Sequence, residues 1–178
     1  RQAVEVPYAE QRAQDRAALY SLTLSEDGST LVFDGEITFG LIRRIGRLAD
    51  QTPGLQRIAL TSPGGLIAEA RGAARLIRDR GFDTRADGLC ASACTLLFAA
   101  GHRRSLGPAG QLGFHSYALQ SETGLPQIDV GKEQEKDRAF LIGQGVSAEF
   151  AARIFDVAHS GLWTPAADEL LAGGVLTD

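Results

Sequence analysis

The sequence has no methionine, one tryptophan, two cysteines and, with Lys132 and Lys136, only two lysines in 178 residues. Each scarcity excludes something. Two cysteines cannot make a disulfide framework for a domain of this size, and they are too few for zinc unless a histidine or acid joins them. Cys90 and Cys94 stand four residues apart. Their simplest reading is two small buried residues beside a tight turn. The alternative is a local bridge, because Cα atoms four apart on a helix lie about 6 Å from one another. Such a bridge would need an oxidising compartment. No apolar run approaches the ~18 residues that cross a bilayer; the longest lies around Leu96 to Ala100, so the chain is expected to be soluble. Its net charge is only −4, and Arg43, Arg44, Arg47, Arg71, Arg75 and Arg78 are spread along expected helices as solvated faces. Phosphate binding needs clustered cations, so nucleic acid is excluded as a main partner. The chain opens at Arg1 without a methionine, as removal of a signal peptide or anchor would leave it.

The chain does have enough apolar residues, 44%, to bury one sizeable core. Residues 1–20 are polar after Pro7 and read as an N-terminal arm. Residues 21–178 read as a single domain. Ser21 to Glu26 alternates as a strand, Asp27-Gly28 signals a turn, and Leu31 to Phe33 begins the partner strand. Thr38 is placed to cap a helix carrying Phe39, Ile42, Ile45, Leu48 and Ala49 at helical spacing, and Pro53-Gly54 ends it. Arg57 to Thr61 is a buried strand. Ile67, Ala70, Ala74 and Ile77 form one face of the next helix, with Gly81 as its C-cap. A weaker strand, Phe82 to Ala86, leads to a bend at Gly88 to Ser92 and an apolar helix from Ser92 to Ala100. Short strands follow at Arg103 to Leu106 and Gln111 to His115. After a Gly- and Pro-containing stretch, Ser121 to Gly131, helices are expected over Gly131 to Gly143, Ser147 to His159 and Pro165 to Ala172. Strands alternating with helices through short loops predict an α/β fold with a mainly parallel sheet under helical cover.

Three features carry chemistry. Ser62-Pro63-Gly64-Gly65 joins a buried strand to a helix, and its glycines permit positive φ and close backbone approach. Alone it is an ordinary strand-to-helix turn. Gly88-Leu89-Cys90-Ala91-Ser92-Ala93-Cys94 puts Ser92 on a sharp bend among small residues at a helix start. A nucleophilic serine needs that setting, and the N–H of Ala93 would face the same space; alone, Ser92 reads as an N-cap. His115 ends an apolar strand, where a satisfied core histidine is the commoner case. Their order, a glycine pair, a serine bend and then a strand-end histidine, changes the balance.

Together these features resemble the proteolytic subunit of the Clp (caseinolytic) protease, over Leu31 to His115 and more weakly over Trp163 to Asp178. Ser62-Pro63-Gly64-Gly65 and Gly88-Leu89-Cys90-Ala91-Ser92 match the family pattern, as does His115, 23 residues after Ser92. Asp34-Gly35-Glu36-Ile37 is similar to its Gly-x-Ile entry. Cys-Ala-Ser-Ala-Cys with Gly-Phe-His is similar to an exported, envelope-associated bacterial subgroup. The resemblance implies a Clp-peptidase/crotonase-like spiral of β-β-α units, with residues 117–160 as a helical extension. It implies a serine endopeptidase: Ser92 attacks the scissile carbonyl, His115 acts as base, and the N–H groups of Gly65 and Ala93 hold the oxyanion. Peptides or unfolded proteins would be its substrates and a homo-oligomer its working form, without metal or organic cofactor. The subgroup likeness favours the periplasm or cell envelope, in a membrane-associated context, over the cytoplasm.

The chain departs from the family at the third triad member. Ser160 stands where the family has its aspartate, and Asp156 is the nearest acid. Either Asp156 reaches His115, or Ser160 or a backbone carbonyl orients the imidazole, or the site is crippled. Three other readings follow: an inactive Clp-like binding or assembly module, a crotonase-type acyl-CoA enzyme, and a Ser–Lys dyad using Lys132.

Overall fold

Two strands joined by the Asp27-Gly28 turn open the described part of the chain, residues 19–117 and 129–178 of the computed structural model. The expected arm up to Ala18, and nearly all of the Ser121 to Gly131 stretch, lie outside the described residues. Strand β1, Tyr20–Leu24, pairs antiparallel with β2, Thr30–Gly35. It starts one residue earlier than expected, because Tyr20 is buried against Phe33 with ring centroids 5.5 Å apart. In the turn, the Asp27 carboxylate accepts from Ser29 N–H at 3.0 Å, Ser29 Oγ at 2.7 Å and Ser25 Oγ at 2.8 Å. The bonds from Ser29 and Ser25 lower its pKa to about 2. The turn's support is therefore complete above the unfolded value and is lost as pH falls from about 4 towards 2. Amide exchange at Ser29 is expected to accelerate across that window.

The rest of the sheet is parallel. Strand β3, Arg57–Ser62, lies between β2 and β4, Asp83–Ala91, and β4 also carries β5, Arg104–Leu106, and β6, Gln111–Gly113. Strand β4 runs on to Ala91, through the bend expected at Gly88. Gly88 packs so close to β3 that a Cβ there would lie 2.9 Å from Thr61 Cγ2, and the β3–β4 register shifts between Leu60 and Ser62. The long β4 thus spans two partners on one side, β5 near its start and β6 near its end.

Helix α1, Leu41–Gln51, buries Leu41, Ile45 and Ala49. Thr38 is not its cap: Gly40 holds that position in a left-handed conformation, and Phe39 stays 72% exposed. The cap comes from helix α2, Ile67–Arg80, whose Glu69 carboxylate accepts from Gly40 N–H and Ile42 N–H, each at 3.0 Å. A negative charge there also suits the helix dipole. Glu69→Ala is expected to destabilise the fold by about 1–2 kcal/mol, measured as a lower urea midpoint. Helix α2 ends at Gly81 with φ 68°.

Helix α3, Cys94–Ala99, is buried throughout and packs on β4. Helix α4, Val130–Gly143, is capped by Asp129, and helix α5, Ala148–Asp156, by Ser147. Helix α6, Ala167–Ala172, closes the chain against β5 through Arg104, whose buried guanidinium donates to the carbonyls of Val175 at 2.8 Å and Gly174 at 2.9 Å. Among the described residues no helix is long and apolar enough to cross a membrane.

Candidate active site

The site forms where β3, β4 and β6 end side by side. Ser62 pairs with Cys90, and Ala91 with Gly113, so the segments that follow, Gly64-Gly65, Ser92 and His115, emerge at one edge. Ser92 is the one non-glycine residue with positive φ among the described residues, at 57°. That conformation costs a side-chain-bearing residue about 1–2 kcal/mol, so the surroundings must hold it. They do: Ser92 N–H donates to the Gly113 carbonyl at 2.9 Å, and its own carbonyl accepts from Thr95 N–H at 3.0 Å and Thr95 Oγ1 at 2.7 Å. Cys90 and Cys94 are disulfide-bonded across the bend, Cα atoms 5.3 Å apart. The alternative reading of the pair is therefore the correct one, although both residues are also fully buried.

The glycine pair is required by contact. A Cβ on Gly64 would lie 2.9 Å from Ser92 Cβ and 3.2 Å from Ala93 N, and one on Gly65 would lie 2.1 Å from the Ile37 carbonyl oxygen. Gly65 bridges Ile37, with Ile37 N–H on the Gly64 carbonyl at 2.8 Å and Leu66 N–H on the Ile37 carbonyl at 2.9 Å. Among the described residues neither Gly65 N–H nor Ala93 N–H has an acceptor within the protein. Two donors without acceptors thus lie on the two segments that meet at the serine, one next to Gly64 and one next to Ser92 itself.

His115 follows β6. Phe114 on one side exchanges both backbone hydrogen bonds with Trp163, at 2.9 and 2.8 Å, and packs on Phe150 and Trp163. Ser116 on the other side donates to the Val157 carbonyl at 2.8 Å. The imidazole Nδ1 lies 2.6 Å from the Ser116 carbonyl. A carbonyl only accepts, so Nδ1 is the donor of this bond. Ser92, His115, Thr95, Leu96 and Tyr117 line one narrow pocket of about 20 Å³, closed by Leu141, Ile154 and Phe155 from α4 and α5. No hydrogen bond joins Ser92 to His115.

Asp156 and Ser160 are both exposed, and neither is hydrogen-bonded to His115. The acid nearest the site in the network of bonds is Asp137, which sequence reasoning missed. It is 3% exposed and accepts from Arg71 Nε and Nη2, each at 2.9 Å, and from the Tyr117 hydroxyl. Arg71 also pairs with Glu133, so its placement on a solvated face is corrected. These contacts hold the guanidinium pKa well above its ordinary value. Burial, with the Asp137 charge, likewise pushes the Tyr117 phenol up. Lys132 is exposed, and Lys136 pairs with Glu133 at 3.1 Å, so neither lysine lines the pocket. Among the described residues no cluster of histidine, cysteine and acids could hold a metal.

No family model matches the sequence, and none of the curated proteins is similar to it. Solved structures are. A point mutant of ClpP1 from Listeria monocytogenes superposes with a TM-score of 0.67 at 17% identity, over 83% of this chain and 88% of that one. The chain has a Clp-peptidase-like fold. In that fold the end of β4 carries Ser92, the end of β3 carries the glycine pair, and helices α4 and α5 lie over the pocket.

Proposed function

We propose that the chain is a Clp-like serine peptidase that cleaves peptides or unfolded proteins as a homo-oligomer. The observation that carries this reading is Ser92, held at positive φ against the Gly64-Gly65 turn and sharing a pocket with His115. Ser92 Oγ attacks the carbonyl, and its proton passes to His115 Nε2. The developing oxyanion is met by Gly65 N–H and Ala93 N–H. The protonated imidazole then gives its proton to the leaving amine, and water repeats the sequence to release the acyl group. The Ser116 carbonyl does the orienting that a carboxylate does in a full triad. It sets the tautomer but brings no full negative charge to stabilise the imidazolium, so turnover is expected to be slow. The bonded Cys90–Cys94 pair supports an oxidising compartment, the periplasm or cell envelope.

Hydrolysis of fluorescently labelled casein by the assembled chain tests this. Ser92→Ala and His115→Ala are each expected to lower the rate by roughly 10⁴ or to background. Equal rates in wild type and Ser92→Ala would end the proposal. A second reading, an assembly module without turnover, is favoured by the missing Ser92–His115 bond and the narrow pocket. It predicts a stable oligomer with no Ser92-dependent hydrolysis.

A further inference from the structure

The disulfide lies in an unusual place. Cys90 is the penultimate residue of β4, and Cys94 is the first of α3. The bond closes a ring around Ala91, Ser92 and Ala93 alone. So small a ring does little to fasten distant parts of the fold, because a bridge constrains the unfolded chain more as its loop lengthens. What it encloses is the residue at φ 57° and one of the two unpaired N–H groups. The other supports of the bend are three hydrogen bonds, to Gly113 and from Thr95. On the side away from the pocket, Ser92 is met by the Gly64 backbone, where a Cβ would lie 2.9 Å from Ser92 Cβ.

We propose that the Cys90–Cys94 bond is the element that holds Ser92 in its reactive conformation, so that the nucleophile is competent only in the oxidised chain. The competence half of the statement rests on the reading of Ser92 as nucleophile; the conformational half does not. Once the bond is broken, α3 can start one residue earlier and Ser92 can relax to negative φ. Its Oγ would then turn away from His115, and Ala93 N–H away from the oxyanion position. A small dithiol is the reductant by class, and it reaches the fully buried bond when the bend opens locally. Its two sulfurs join, two electrons break the Cys90–Cys94 bond, and its two protons end on the cysteine thiols. Peptidase activity would then follow the redox state of the compartment.

The test compares three forms of the whole chain: oxidised wild type, wild type reduced with dithiothreitol until mass spectrometry after alkylation in denaturant shows both thiols free, and Cys90→Ala/Cys94→Ala. Two rates are read in each, amide exchange at Ser92 and Thr95 and fluorophosphonate labelling of Ser92. Both bridge-free forms are expected to exchange at these two amides at least about tenfold faster. They are expected to label at least about tenfold more slowly, since a small misplacement at a reacting centre can cost ~10². Oxidised glutathione should restore both rates in the reduced wild type and neither in the double variant. If the double variant does not fold, the reduced wild type carries the comparison. Unchanged exchange overturns the proposal, as does faster exchange with labelling unchanged. A rise spread evenly over β3 and β4 would also overturn it, by making the bridge a support of the sheet. Faster exchange at the bend, with no labelling even of oxidised wild type, would leave the conformational role standing and remove the peptidase reading.

Discussion

Gly65→Ala is expected to lower Ser92-dependent hydrolysis by at least ~10² and to destabilise the fold by on the order of 3 kcal/mol. Two effects combine. The position has φ +145°, outside what an alanine adopts, and the new Cβ would meet the Ile37 carbonyl oxygen at 2.1 Å. That oxygen is backbone, already bonded to Leu66 N–H, and cannot swing aside as a flexible side chain would. The segment must shift, and Gly65 N–H, the proposed oxyanion donor, shifts with it. Gly54→Ala is the matching control. Its Cβ would meet nothing within 4 Å and its φ is not positive, so stability should change by less than about 0.5 kcal/mol and activity not at all. Urea unfolding and casein hydrolysis, run on both variants, separate the two expectations.

Asp137→Ala is expected to cost about 2–3 kcal/mol, because hydrogen bonds to a charged group are lost while Arg71 stays partly solvated and paired with Glu133. Asp137 is almost fully buried and binds two groups at once. Without it, the Arg71 guanidinium loses two bonds of 2.9 Å and keeps only the more exposed Glu133. The Tyr117 hydroxyl loses its acceptor in a site that already disfavours charge. Tyr117 is two residues from His115 and packs edge-on against Phe155, another wall of the pocket. Hydrolysis should therefore fall with stability. The same contacts give a pH signature. Because the folded phenol's pKa is raised, folding keeps a proton that the unfolded chain releases above pH 10. Stability is complete below that value and declines as pH rises through it. Tyr117→Phe should remove this part of the decline, read as urea midpoints at about pH 9 and about pH 11.

What could be read from the sequence was local. Ser62-Pro63-Gly64-Gly65, the small residues around Ser92 and the strand-end His115 each carry their signal within a few residues. The sheet's edge gathers them because parallel neighbours end together. The contacts that support them come from far away in sequence. Glu69 caps α1 across 27 and 29 residues, and Arg71 reaches Asp137 across 66. No periodicity links such pairs, so Thr38 read as the cap and Arg71 as a solvated charge. Gly88 was misleading in another way. Glycine marks bends and also close strand approach, and here the approach to Thr61 lets β4 continue. A backbone carbonyl was one of the partners weighed for His115, but which one could not be read because a carbonyl has no residue type; it is that of Ser116, while Asp156 lies exposed.

On the proposed mechanism Ser92 is an activated nucleophile. The direct measurement is fluorophosphonate labelling of the folded, oxidised chain, followed by peptide mass spectrometry. One adduct on Ser92, absent from Ser92→Ala and strongly reduced in His115→Ala, is the predicted result. A folded wild-type chain with no adduct on Ser92, or one that forms equally in His115→Ala, would contradict it.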